Sequence, residues 1–306
     1  MDGLLILDKP AGVTSFDMVR QVRRWCQTRR VGHAGTLDPL ATGVLPVAVG
    51  RATRLIEYLM ADDKAYRATL KLGCVTDTQD SEGRVLEEKP WQSVDREAVK
   101  VAVGNFVGQI EQLPPMYSAL KKDGQPLYKM ARQGLEVERE PRKVHVKSLV
   151  VDDFSPPYLT FTVNCSKGTY VRTLCHDLGQ ILGCGAHMTD LRRLACGRFD
   201  LAASHPLSEL EELFEHGRPL PFLSLAEALA DWPVLKVDGL ILERLQNGVA
   251  PCMADLVGDE PAAGDQIRFI AGNTLVAVAI YAPGGYGQRP GDFELLKVFP
   301  FAEVDG

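Results

Sequence analysis

The chain has 306 residues, 45% of them apolar and 24% charged, with a formal net charge of −6. This make-up excludes disordered, collagen-like and disulfide-scaffold classes, and the length allows about two domains with a substantial core. The acidity is local: residues 207–265 hold 12 acids against Arg218, Lys236 and Arg244, and the rest of the chain carries 31 basic against 28 acidic residues. A mildly basic body with an acidic segment remains compatible with a polyanionic partner, which the net charge alone would argue against. No run of about 18 apolar residues marks a membrane span. Leu4–Leu7 is cut off at once by Asp8-Lys9-Pro10, too short for a signal peptide. The seven cysteines contain no C-x-x-C pair, so reduced thiols in a cytoplasmic protein are expected.

In chain order, Leu4–Leu7 reads as a buried strand. Thr14 with Asp17 has the spacing of a capping box, and Phe16, Val19 and Val22 follow at helical spacing, so a helix is expected over 15–26. Arg20, Arg23 and Arg24 fall on its other face. Residues 31–43 read as a loop, followed by a strand at 44–49 and a helix over 51–60. A strand at 66–72 and a helix at 95–106 come next. Gly108, Pro114-Pro115 and Gly124 punctuate 108–125 too heavily for one regular element. A short helix at 128–132 precedes two adjacent antiparallel strands at 143–151 and 159–164. Helices are expected at 170–182, 207–215 and 225–229. Beyond Trp232-Pro233, one helix (239–246) and strands at 266–270, 274–281 and 294–299 outline a small β-barrel-like module. The expected architecture is α/β of the α+β kind, a mixed, largely antiparallel sheet flanked by helices, with domains 1–230 and 231–306.

The most informative stretch is Gly32–Gly43 (GHAGTLDPLATG). Glycines bracket a single acid, and Pro39 biases Asp38 away from the α region. Such a loop either presents a carboxylate at the floor of a cleft or makes Asp38 an ordinary N-cap with Pro39 at N1. His33 shares the loop and could stack on a base or fill a gap in folded RNA. In Ser166–Arg172 (SKGTYVR) a strand ends, a glycine turns and a helix begins. Arg172 lies against the positive end of that helix, so it wants an acidic partner elsewhere. Basic clusters at Lys121-Lys122, Arg139/Arg142/Lys143/Lys147 and Arg192-Arg193/Arg198, interleaved with Tyr66, Tyr117, Tyr128 and Tyr170, read as solvated faces singly. Together they read either as a chance clustering or as a groove with stacking platforms, which is what splayed-out RNA bases need. No Walker, GxGxxG, HExxH or GxSxG pattern occurs.

At these same residues the sequence closely resembles bacterial tRNA pseudouridine-55 synthases, the TruB family. The resemblance runs in order over about 3–200: GLLILDKPAG at 3–12 with Thr14-Ser15, GHAGTLDPLATG at 32–43, Asp63–Arg67, Leu72-Gly73 with Thr76–Thr78, QLPPMYSAL at 112–120 with Lys121, SKGTYVR at 166–172, GCGAH at 183–187 and Leu191–Leu194. It implies a pseudouridine synthase fold, a PUA-like RNA-binding module after 230 and an RNA-gripping insertion at about 124–152. It implies an isomerase that converts uridine 55 of the tRNA T-loop to pseudouridine after flipping the base out. Asp38 would be the nucleophile, Arg172 its partner, and Tyr66 the stacking residue with a hydroxyl available for proton transfer. Tyr170, Leu191 and His33 would contact the nucleoside and T-loop, and Lys121, Arg142, Lys143 and Arg192 the RNA backbone. Neither metal nor cofactor is implied. The partner would be the tRNA T-stem-loop, the protein a monomer without obligate protein partners. Three other readings stand beside it: a guide-RNA-dependent subunit of the dyskerin type, a tRNA-folding chaperone, and a hydrolase using Cys165 or Cys175 with His176.

Overall fold

The computed structural model describes residues 1–118, 120–122, 124–284 and 291–300. Its elements are β1 (Gly3–Lys9), α1 (Ser15–Cys26), β2 (Val31–His33), β3 (Thr42–Val49), α2 (Ile56–Ala61), β4 (Lys64–Leu72), β5 (Cys74–Thr76), β6 (Val85–Glu88), α3 (Arg96–Gly104), β7 (Gly108–Gln112), β8 (Lys121–Lys122), β9 (Gln125–Pro126), α4 (Leu127–Arg132), β10 (Arg142–Ser155), β11 (Tyr158–Cys165), α5 (Val171–Ile181), β12 (Ala186–Cys196), β13 (Phe199–Asp200), β14 (His205–Pro206), α6 (Leu207–Glu215), α7 (Leu225–Ala228), β15 (Val234–Lys236), α8 (Gly239–Gln246), β16 (Gln266–Ala271), β17 (Thr274–Tyr281) and β18 (Phe293–Val298). The fold is mixed α/β. Its central sheet runs β14-β1-β3-β12-β4-β11-β10-β7, with β2 beside β3 and β13 beside β12. Most pairings are antiparallel; β1 with β14 and β12 with β3 are parallel. Among the described residues no helix is long and apolar enough to cross a membrane.

The expected capping box is present: the Thr14 hydroxyl accepts from the Asp17 amide, and the Asp17 carboxylate accepts from the Thr14 amide. The antiparallel pairing of the strands expected at 143–151 and 159–164 is also present, lengthened to β10 and β11. As expected, 108–125 is not one regular element: Gly108–Gln112 form β7, paired with Val146–Arg142 of β10, and β8 and β9 follow after a loop. Three expectations change. Residues 142–152, expected in an insertion, are part of β10 and belong to the central sheet. The start of the expected 51–60 helix is a 3-10 turn over Gly50–Leu55. No strand is expected at 186–196 from the sequence, yet β12 lies in the middle of the sheet between β3 and β4. Its buried polar residues and its two register shifts against β4 break the alternation that would have announced it.

The C-terminal region is, among the described residues, an open sheet in the order β15-β16-β17-β18 rather than a barrel. It shares a core with the central sheet: Leu275, Val278 and Phe299 are buried in one cluster with Leu4, Ile6, Val44 and Ala48. The Arg54 guanidinium lies 4.8 Å from the Phe299 ring centroid, and Arg268 donates to the carbonyls of Ala226, Ala230 and Trp232. The Phe299→Ala variant is therefore expected to lose about 3–5 kcal/mol of stability, as a buried aromatic does when truncated. Denaturant unfolding followed by tryptophan fluorescence reads it, and a wild-type midpoint would show that this face of the sheet carries no such load.

Candidate active site

The Asp38 loop is held by residues that precede it in the chain. Pro10 and Gly12 follow β1, and the Gly12 amide donates to the Pro39 carbonyl at 2.9 Å. The Ser15 hydroxyl donates to the Leu37 carbonyl at 3.0 Å and accepts from the Leu37 amide at 2.8 Å. Lys9 is fully buried, and its Nζ donates to the carbonyls of Pro10, Pro39 and Ala41 at 2.8, 3.3 and 2.6 Å. Asp38 thus sits between two clamped neighbours, Leu37 and Pro39. No helix follows it, so it is no N-cap. Burial lowers the Lys9 pKa to about 8, partly opposed by the nearby Asp38 charge. Gly43 closes the loop at φ +105°, where a Cβ would lie 2.1 Å from the Arg193 carbonyl oxygen; only glycine fits that approach.

Arg172, buried in the first turn of α5, finds two acids rather than one. Its Nη2 is 3.3 Å from Asp38 Oδ2 and donates to the Tyr117 carbonyl at 2.6 Å; its Nη1 donates to Asp80 Oδ2 at 3.3 Å. Asp80 is itself buried and held by Thr78, whose hydroxyl donates to Oδ1 at 2.5 Å, and by the Glu82 amide at 3.1 Å. The start of α5 is pinned from β7: the Tyr170 amide donates to Gln112 Oε1 at 2.9 Å, and Gln112 Nε2 donates to the Tyr170 carbonyl at 3.1 Å. One third of the Asp38 side chain is exposed. Burial on its other sides raises its pKa; Arg172 and Lys9 pull it back down and Asp80 pushes it further up. Desolvation outweighs the ion pair with Arg172 and sets the direction.

Tyr66 on β4 pairs with Arg193 on β12, and the Arg193 guanidinium hydrogen-bonds its hydroxyl; burial raises the phenol's pKa and Arg193 opposes this. Arg193, placed by sequence in a basic surface cluster, is buried, donating to the carbonyls of Val44 at 2.6 Å and Gly35 at 3.2 Å. His33 ends β2; burial first, then Arg193, lowers its pKa, so the imidazole is neutral at pH 7.

Asp38, Tyr66, Tyr170, Arg172, Leu191, His33, Arg142 and Lys143 all line one cleft of about 1250 Å³, together with Asp80 and Arg193. Arg192 does not line it: its guanidinium makes two contacts with Asp8, at 2.7 and 3.2 Å, and a third with Thr42. That ion pair ties β12 to β1. The side chain of Lys121 lies outside the described residues. Cys165 and Cys175 are buried away from the cleft, and burial pushes the Cys165 thiol up to about 11 and the Cys175 thiol higher still. Both are the wrong way for a nucleophile, and the cysteine-hydrolase reading falls. Sequence reasoning missed Asp80, Lys9, Ser15 and Gln112 as site residues. Asp80 sits in a polar turn, TDTQDSEG, where an acid is unremarkable; the unsatisfied charge of Arg172 was the one hint.

The arrangement is one carboxylate on a rigid loop, a buried arginine shared with a second carboxylate, and an aromatic platform, all in a cleft with basic residues at its rim. Residues 23–171 match the TruB family pseudouridylate synthase N-terminal domain, and residues 172–221 match the tRNA pseudouridylate synthase B C-terminal domain. The tRNA pseudouridine synthase B of Syntrophotalea carbinolica is 49% identical over 98% of both chains. That of Geobacter sulfurreducens is 48% identical over 98% of this chain and 100% of its own. Among solved structures, a chain in a Cbf5-Nop10-Gar1 complex superposes with a TM-score of 0.75 at 26% identity, covering 97% of this chain and 84% of the other. With near full-length identity of this order, the chain belongs to the TruB family of pseudouridylate synthases.

Proposed function

We propose that the protein converts uridine 55 in the T-loop of tRNA to pseudouridine, acting alone on naked tRNA. Conversion of a tRNA uridine follows from the family and from relatives named tRNA pseudouridine synthase B. The observation that carries the chemical assignment is the Arg172 guanidinium bridging Asp38 and Asp80 at 3.3 Å each. A stacked uracil cannot be turned over in place, so the nucleotide is extruded into the cleft at a cost of a few kcal/mol. Asp38 acts as nucleophile, and the bond it makes to the nucleoside breaks again as the product forms. The N1–C1′ bond breaks, the uracil turns, and a C5–C1′ bond forms as C5 loses its proton and N1 gains one. Glycosidases use a second carboxylate either to activate water or to release the intermediate to it. Here the second carboxylate, Asp80, is buried behind Arg172, where it orients the guanidinium. Tyr66 supplies the π-face under the base, and its hydroxyl, kept protonated by burial, relays the C5 proton by taking it up as its own hydrogen passes to water. Tyr170 and Leu191 wall the nucleoside, and His33 takes the place of the extruded base. Arg142 and Lys143, which line the cleft, hold phosphates, and the same task is proposed for Lys121.

Asp38 works as a carboxylate, and its pKa in the folded protein lies above the ordinary 3.8. Activity is therefore lost as pH falls through that raised value. Asp80→Asn removes a charge that helps push it up, so the acid limb of kcat/KM should move to lower pH even as kcat drops. A limb that stays in place would mean that another group ionises there.

A chain solved in a Cbf5-Nop10-Gar1 complex shares the fold, so a partner-dependent reading of the dyskerin type stands beside the stand-alone one. Purified protein incubated with unmodified tRNA tritiated at uracil C5 separates the two. Tritium release from position 55, abolished when that uridine is cytidine, supports the stand-alone enzyme. Tight binding without release points to missing subunits.

A further inference from the structure

Phe16 does not take the place its spacing foretold. The buried stripe of α1 is Ser15, Met18, Val19, Val22 and Trp25; Phe16 points outward and is 54% exposed. It stands at the lip of the cleft, beside Thr14, Ser15 and His33. Two guanidiniums lie against its ring, Arg23 at 5.5 Å and Arg20 at 5.9 Å from the centroid. Arg23 is anchored by donating to the Val31 carbonyl at 3.3 Å, and Arg20 by its ion pair with Asp17. A large apolar ring is thus displayed in a fixed orientation, in a cationic setting, at the edge of the catalytic cleft. Arg142, Lys143 and Lys167 line the same cleft.

We propose that Phe16 is a stacking platform for an unpaired base of the substrate RNA, next to the nucleotide that enters the cleft. The inference rests on the RNA-modifying reading and adds to it a second contact surface, on α1. Three observations select a nucleic-acid base as the occupant. The lip is continuous with the cleft that receives the flipped nucleotide. The ring is flanked by guanidiniums, which attract phosphates and disfavour a basic or plain apolar protein segment. A single exposed aromatic is the size of one base and far smaller than a protein interface. Stacking needs only a π-face, so the platform tolerates any base at that position.

The test uses the full chain with Phe16→Leu and Phe16→Trp, and a T-stem-loop hairpin transcript with its target uridine. Phe16→Leu keeps an apolar side chain but no π-face. Its Kd for the hairpin should rise roughly ten-fold, while turnover at saturating RNA stays within about two-fold of wild type. The rise should disappear when an abasic residue replaces the contacted base, found by scanning the loop one position at a time. Phe16→Trp should bind as wild type does, and the fluorescence it adds to that of the three resident tryptophans should be quenched as RNA is added. Wild-type affinity in Phe16→Leu, together with no quenching of the added indole in Phe16→Trp, overturns the proposal. So would an undiminished Kd rise on every abasic hairpin, which would locate the contact off the bases. Wild-type turnover, followed in parallel by tritium release, tests the enzymatic reading on its own.

Discussion

Asp38→Asn is expected to abolish pseudouridine formation, by at least ~10⁴-fold in kcat, while leaving tRNA affinity within a few-fold. The substitution exchanges a carboxylate for an amide and alters almost no shape. The loop stays clamped because its hydrogen bonds to Ser15, Gly12 and Lys9 use the backbone of Leu37, Pro39 and Ala41 rather than the Asp38 side chain. Stability should not fall, since a carboxylate that burial already disfavours is being replaced by a neutral amide. Tritium release and filter binding on one preparation check both halves of the expectation. Retained turnover would remove Asp38 from the chemistry. Loss of binding together with turnover would mean that the carboxylate shapes the cleft rather than acting in it. A chaperone role in tRNA folding would survive Asp38→Asn, and a cellular assay with this variant separates that role from the modification.

Arg172→Met is expected to cost both function and fold. It strands two carboxylates, Asp38 and Asp80, that now share one guanidinium, and Asp80 has almost no access to water. Removing one partner from a buried ionic cluster costs about 3–5 kcal/mol. The Tyr117 carbonyl also loses a 2.6 Å bond, loosening the wall formed by Tyr117 and Ser118. The Asp38 pKa should climb further, since the largest influence holding it down is gone, so residual activity should rise with pH over a higher range than in wild type. Adding Asp80→Asn to Arg172→Met should recover part of the stability and none of the activity. Thermal unfolding and the pH–rate profile distinguish the two effects. If the double variant is no more stable than Arg172→Met alone, the stranded Asp80 charge is not the source of the loss.

The site was legible wherever a residue type was unusual for its setting. Asp38 between glycines and a proline, and Arg172 at the wrong end of a helix dipole, both posed a question that the fold answers. Asp80 posed none, because an acid in a polar turn needs no partner; its role arises only when β12 and α5 bring the turn against Arg172. The strand β12 escaped for a related reason. Its sequence AHMTDLRRLAC carries His187 and Arg193 buried, and buried polar residues defeat a pattern based on apolar alternation. Arg193 looked like surface because arginine is so rarely buried; the carbonyls of Val44 and Gly35 and the Tyr66 hydroxyl make it the exception. Phe16 went the other way, read as core from its spacing with Val19 and Val22 and found in solvent, because helical spacing of 3 and 6 also fits the flank of a stripe whose centre is Met18–Val22.

The shared cluster of Leu275, Val278 and Phe299 with Leu4, Ile6, Val44 and Ala48 bears on how this protein can be taken apart. β1 and β3 hold the Asp38 loop at one end and rest on the C-terminal sheet along one face. The C-terminal sheet is therefore not an exchangeable cassette. A chimera that grafts another RNA-binding module after residue 230 inherits an uncovered apolar face under the catalytic strands. Only grafts that carry counterparts of Leu275, Val278 and Phe299 in matching positions should yield soluble, active enzyme, and this requirement sets where a crossover between related chains can fall.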